Sequence, residues 1–205
     1  MANYLEIAKE NLRHNLFVHA GISLLLLCLS PLVLGVENLA LADTAKVLEM
    51  YTALLGIILI TPVFLPEQNK DIRDLIRSKY TKTASIYTIR IIESVLVLIL
   101  FLGIYMWFLH TNGCQMEGMK YFAGTFAEML FLGGLGVFAY SLTDNLIAGY
   151  MIPMFYYITA VGSGVKYMKM FYPFSMSMGS YTEKYWLFVS GLLLLIAGVR
   201  LRSRK

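Results

Sequence analysis

Few residues in this chain are equipped for chemistry, and the most isolated of them is Glu128. It falls about eight residues into the apolar run "YFAGTFAEMLFLGGLGVFAYSL", residues 121–142. At 1.5 Å per helical residue that sets it roughly 12 Å deep in a spanning helix. A carboxylate near the bilayer centre costs on the order of 3 kcal/mol, so it must face protein or water. Two roles suit it: a charge lining a translocation path, able to attract a cationic peptide, or a protonated or paired carboxylate that fixes helix packing. Catalysis within a membrane needs clustered groups, and Glu128 has no acidic residue at i+1 or i+4. His14, His19 and His110 are scattered, while Cys28 lies in an apolar run and Cys114 in a loop. Neither a metal site nor a disulfide is expected from that spacing. The chain holds no G-x-x-x-x-G-K-[ST], hence no P-loop of its own for ATP, and no cofactor is expected to bind it.

The charges collect instead in "LPEQNKDIRDLIRSKYTKTASIYTIRIIE", residues 65–93. Ile72, Leu75, Ile76, the stem of Lys79 and Tyr80 recur at i, i+3, i+4, i+7 and i+8, with Lys70, Arg73, Asp74 and Arg77 on the remaining face. Lys70 with Asp74, and Asp74 with Arg77, are opposite-charge pairs each adding about 0.2–0.5 kcal/mol to a helix. A short amphipathic helix at a membrane surface, within residues 67–82, is therefore predicted. It either adsorbs to anionic lipid or offers a docking surface to a soluble partner. Arg90 and Glu93, spaced i, i+3, are expected to form a structural pair, the alternative being Arg90 on a lipid phosphate.

The elements that must position these groups are membrane spans. Of 205 residues, 58% are hydrophobic and 15% charged, with a mean hydropathy of +0.65. Soluble domains carry about 25% charged residues. Residues 1–14 read as an amphipathic interfacial helix, with Glu6 and Glu10 interrupting any signal-peptide core. Six transmembrane helices follow, at about 15–36, 50–66, 91–109, 121–142, 146–165 and 185–199. Pro62 and Pro66 close the second, Tyr105 and Trp107 suit an interfacial belt, and Arg200 and Arg202 can snorkel from the sixth. The glycine clusters "GGLG" (133–136) and "GSG" (162–164) read as close helix packing or local helix weakening. With the N-terminus inside, twelve Lys and Arg fall on the cytoplasmic side and five outside. That asymmetry places both termini and the charged loop in the cytoplasm. The net charge of +4 gathers at membrane boundaries, so the partner is the lipid bilayer and not nucleic acid. The predicted fold is an all-α polytopic membrane protein.

The order of elements, and "FLPEQNKDIRDLIRSKYTKTASIYTIRIIESVL" in particular, resembles the permease subunit of an ABC-2-type transporter. In that family the second span ends in a Glu, here Glu67, and a cytoplasmic coupling helix leads through lysines, here Lys79 and Lys82, into the third. Two features depart from the family: "EQNKDI" lacks the usual glycine, and the chain is short. The resemblance implies a membrane subunit that pairs with a second copy or a related permease. It also implies a separate P-loop ATPase subunit, which holds ATP and Mg and pushes the coupling helix at Glu67, Lys70, Asp71, Arg73, Asp74 and Arg77. It implies an exporter, with peptides, antibiotics or lipidic molecules as substrates and self-protection against an antimicrobial peptide as one use, in a bacterial plasma membrane. An intramembrane enzyme (a protease or a lipid-modifying enzyme) and an accessory membrane protein are the competing readings.

Overall fold

The computed structural model describes residues 2–69, 72–73 and 83–204. Ala2–Asn11 (α1) passes through a wide turn of π geometry, Leu12–Leu16, into Phe17–Leu34 (α2). No break separates them, so the surface helix and first span expected as two elements form one run. Its apolar part, Glu6–Leu34, has 29 residues, about 43 Å at 1.5 Å per residue against a hydrocarbon core of about 30 Å. Gly35 ends α2 with a φ of 61° and donates its N–H to Pro31 O at 3.1 Å. Beyond it, Asn38 N–H reaches Asn112 O and Gln115 N–H reaches Leu39 O, at 3.0 and 2.9 Å, zipping two loops together at one end of the bundle.

The second span begins earlier than its hydropathy indicates. Leu41–Val47 (α3), a π turn at Leu48–Thr52, Leu54–Ile60 (α4) and a 3-10 stretch at Thr61–Gln68 make one helical rod. The polar stretch before residue 50, expected as a loop, is its first two turns, because Thr44, Val47, Leu48 and Glu49 all face inward and are buried. Thr83–Thr111 (α5), Gly118–Thr143 (α6) and Leu146–Ser163 (α7) follow. Gly164, at φ 66°, stops α7, and the chain turns by 119° into Val165–Met168 (α8) and a 3-10 turn at Lys169–Phe171. A further 3-10 turn, Met176–Met178, precedes Thr182–Arg204 (α9). Among the described residues five helices are long and apolar enough to cross a membrane, or six if the bent pair is one span. The chain is thus an all-helical, membrane-embedded protein, with no strand among the described residues.

The second span and α6 are mostly buried, while α2, α5 and α9 turn most of their surface outward, as lipid-facing helices do. Glycines set this arrangement. A Cβ on Gly56 would stand 2.1 Å from Met129 O, one on Gly134 2.8 Å from Gly191 O, and one on Gly191 2.8 Å from Phe131 N. Helices α4, α6 and α9 therefore meet backbone to backbone, dispersion replacing the hydrophobic drive that lipid cannot supply. The "GGLG" cluster packs in this way, and "GSG" weakens the helix at its end.

Gly56→Ala is expected to destabilise the bundle by about 1–3 kcal/mol, because neither backbone can give way. Gly103→Ala, which meets nothing within 4 Å, is the control and should be neutral or gain up to about 1 kcal/mol of helix propensity. Denaturant unfolding in micelles, followed by circular dichroism, compares the two.

Candidate functional site

Two clusters of buried charge occupy opposite ends of the bundle. The first is built where the second span ends. Pro66 has no N–H to offer the Val63 carbonyl, its partner three residues back in a 3-10 turn, and Arg90 Nη1 donates to that oxygen instead, at 3.3 Å. Side chains from neighbouring helices also reach the carbonyls on either side: Asn15 Nδ2 donates to Pro62 O and the Tyr140 hydroxyl to Phe64 O, each at 3.4 Å. The tight turns also direct Glu67 inward, where it is 1% exposed. Its Oε1 accepts from Arg90 Nη1 at 3.1 Å and its Oε2 from the Tyr87 hydroxyl.

Arg73 extends this cluster to the loop. Its Nε donates to Glu67 O at 3.1 Å, and its Nη1 and Nη2 form a two-pronged bridge to Asp144 at 3.0 and 3.1 Å. Asp144 occupies the α6–α7 turn at φ 54°, the left-handed cap of α6, while Asn145 Oδ1 caps α7 by accepting from Ile147 N–H at 2.8 Å. Arg202, at the end of α9, also donates to Asp144, and its guanidinium lies 5.6 and 5.7 Å from the ring centroids of Phe64 and Tyr140. One carboxylate thus joins the loop, the α6–α7 turn and the end of α9. Partial burial acts to raise its pKa, but the hydrogen bonds from Arg202 and Arg73 outweigh that and hold it below the ordinary carboxylate range.

The second cluster surrounds Lys184, on the first turn of α9. Its ammonium lies 2.8 Å from Glu49 Oε1 and 2.8 Å from Glu128 Oε2, and it also donates to Pro173 O. Glu49 accepts in addition from the N–H groups of Met176, at 2.7 Å, and Ser177, at 3.1 Å. Both carboxylates are 0% exposed and Lys184 is 4% exposed.

Several sequence expectations are corrected here. Arg90 and Glu93 do not pair: Arg90 turns inward to Glu67, and Glu93 accepts from Asn11 Nδ2 at 2.7 Å, tying α1 to α5. Arg202 does not snorkel outward, because Asp144 and two aromatic faces hold it inside the bundle. Tyr105 does not share an outward-facing aromatic belt with Trp107: it points into the bundle and is buried, 2.6 Å from Ser30 Oγ, whereas Trp107 is exposed. Of the two roles open to Glu128, this conformation shows the paired one. Glu67 and Arg73 are brought together, and Lys70, Asp71, Asp74 and Arg77 lie outside the described residues. Glu49, Asp144, Lys184 and Tyr87 were missed as site residues. Glu49 carried one signal, for the apolar run "VLEMYTALLG" already encloses it. Among the described residues no group of three or more His, Cys, Asp or Glu is placed to hold a metal ion. No protein-family model, curated protein or solved structure matches the chain.

Breaking the buried pair with Arg90→Met leaves Glu67 uncompensated and is expected to cost about 3–5 kcal/mol, with Glu67→Met/Arg90→Met less damaging than Arg90→Met alone. A double-mutant cycle on unfolding in micelles measures this. Asp144 supplies the pH dependence. Its pKa is lower folded than unfolded, so its stabilisation is complete above the ordinary carboxylate range and is lost as pH falls through the depressed value. An acid-unfolding series should show Asp144→Asn losing that part of the slope.

Proposed function

We propose that the chain is the membrane-spanning permease subunit of an ATP-driven exporter of the ABC-2 type. A separate P-loop ATPase subunit would bind ATP and Mg, and a second copy of this chain or a related permease would complete the pathway. The observation that carries the reading is the two-pronged bridge from Arg73 to Asp144. A cytoplasmic loop that only anchored the chain to lipid would direct its arginines at phosphates. Arg73 instead ties the loop to the α6–α7 turn and, through the shared Asp144, to the end of α9. Its Nε also holds the Glu67 carbonyl, at the end of the second span. A push on the loop would therefore act on four elements at once, as coupling between an ATPase and a translocation path requires.

Glu67 supports the same reading. A carboxylate beside a membrane-surface loop can dissolve its charge in water, yet this one is buried on Arg90 and Tyr87. It makes the second span and α5 move as one body where the force would enter. The cytoplasmic side follows from the positive-inside asymmetry of the sequence. Peptides, antibiotics and lipidic molecules are the proposed substrate classes, by resemblance.

The test is a pull-down of the tagged, full-length chain from its own membranes: a P-loop ATPase should copurify, and its absence overturns the reading. In the complex, Arg73→Ala and Asp144→Asn each remove charge-assisted hydrogen bonds worth about 1.5–3 kcal/mol. Substrate-stimulated ATP hydrolysis should then fall roughly tenfold or more, while membrane insertion, followed by fractionation, is retained. Wild-type coupling in both variants would reduce the loop to a lipid anchor.

A further inference from the structure

The cluster around Lys184 has a charge imbalance that its hydrogen bonds locate on one atom. Lys184 has three N–H donors and three acceptors: Glu49, Glu128 and Pro173 O. Glu49 is fully served, with Lys184 and Met176 N–H on Oε1 and Ser177 N–H on Oε2. Glu128 is not. Its Oε2 meets Lys184, but its Oε1 is enclosed and has no hydrogen-bond partner. Two ionised carboxylates on one ammonium leave a net negative charge where no water reaches, and a bare carboxylate oxygen adds its own desolvation cost.

A proton on Glu128 Oε1 resolves both faults. It cancels the surplus charge, and a neutral carboxyl is far cheaper to bury than a bare carboxylate oxygen. Thr125, one turn before Glu128 on α6, Thr52, one turn after Glu49, and Ser175, next to Met176, also keep buried hydroxyls without a hydrogen-bond partner. A bound metal cation fits less well, since the Lys184 ammonium already lies 2.8 Å from the same carboxylate. The other titratable groups facing Glu128 are Tyr156 and Tyr157 on α7 and Tyr172. Tyr156 and Tyr157 donate their hydroxyls elsewhere, to Phe171 O and Met50 O. Glu49 and Lys184 are thus the charges that Glu128 answers to.

We propose that Glu128 is a buried proton-binding site, and that its proton keeps the segment from Tyr172 to Tyr181 closed as a cap over the cluster. The cap hangs on Glu49 through the N–H groups of Met176 and Ser177, and on Lys184 through Pro173 O. When Glu128 gives up its proton, two full carboxylates compete for Lys184, and their repulsion is relieved by water entering from the cap side. The hydrogen bonds from Met176 and Ser177 are the ones that this water replaces. The inference does not rest on the ATP-driven reading, because charge count and hydrogen bonds are the same in any membrane protein.

The experiment uses the full chain in phosphatidylcholine vesicles. Infrared difference spectra near neutral pH should show the carbonyl band of a neutral carboxylic acid, lost in Glu128→Gln and titrating away as pH rises. Glu49→Gln, which removes the competing charge, should keep the band and lower its midpoint. Cap opening is read in a Cys28→Ser/Ser177→Cys chain with a membrane-impermeant maleimide. Rates are normalised to labelling of an exposed cysteine, which removes the reagent's own pH dependence. Normalised labelling should rise about tenfold per pH unit below the midpoint of the band, as an opening linked to one proton must. Glu128→Gln should stay slow throughout. A wild-type spectrum without the band, or a band that survives in Glu128→Gln, overturns the proton site. A band that titrates while labelling stays flat overturns the cap. Labelling that follows sodium or potassium exchange with no carboxylic-acid band assigns the missing charge to a metal cation and also overturns the proposal.

Discussion

A proline has no N–H, and one at the end of a buried helix leaves a carbonyl that must find a donor elsewhere. In this chain Pro66 imposes that requirement at Val63 O, and one end of the bundle is built around the short stretch that contains it. Asn15 from the first span, Arg90 from α5 and Tyr140 from α6 each come to a carbonyl of the Thr61–Gln68 stretch. Arg90 and Tyr140 are then in place for further work. Arg90 pairs with Glu67, and Tyr140 lends an aromatic face to Arg202. Side chains from three helices converge on this short stretch, and one of them, Arg90, both fills the proline's vacant bond and brings its charge to Glu67.

The glycine contacts carry this end to the other. Because α4, α6 and α9 touch backbone to backbone at Gly56, Gly134 and Gly191, they slide past one another only by breaking close contact along their length. The same three rods also hold both charge clusters. The rod that includes α4 bears Glu49 near its start and Glu67 at its end, α6 bears Glu128 and leads into Asp144, and α9 bears Lys184 and Arg202. A displacement at Asp144 or Arg202 is thereby delivered to the helices that hold Glu128 and Lys184.

What the sequence made legible follows from which signals are local. The cost of a lone carboxylate in an apolar run marks Glu128, and proline chemistry marks the end of the second span. The glycine cluster marks a packed face. Partners were not legible, because Asp144 meets its arginines across 71 and 58 residues and a "TDN" turn carries no trace of them. Lys184 was hidden for a different reason: beside Glu183 it reads as a helix boundary, and only the fold-back of the Met-rich segment buries it. Arg202 misled because a terminal arginine reaches headgroups by default, and here an aromatic pocket with a carboxylate offers more. The start of the second span was misplaced because Asp43 and Lys46, exposed and paired at 3.0 Å, conceal a helix whose other side is buried.

The two clusters differ in a way that bears on what each can do. At the end with Asp144, three guanidinium groups, Arg73, Arg90 and Arg202, stand among three carboxylates, Glu67, Glu93 and Asp144. Among the described residues these charges balance, and Asp144, with 38% of its side chain exposed, keeps contact with water. Such a cluster holds its geometry across a wide pH range and yields to mechanical contact at its exposed bridge. Around Lys184 the ratio is one cation to two carboxylates, with none of them wet. An enclosed, unbalanced cluster cannot stay neutral without a further positive charge, so its geometry is tied to whatever supplies that charge. On the proposed readings one end would receive force and the other would hold a proton, and the glycine-packed helices that carry both clusters connect them.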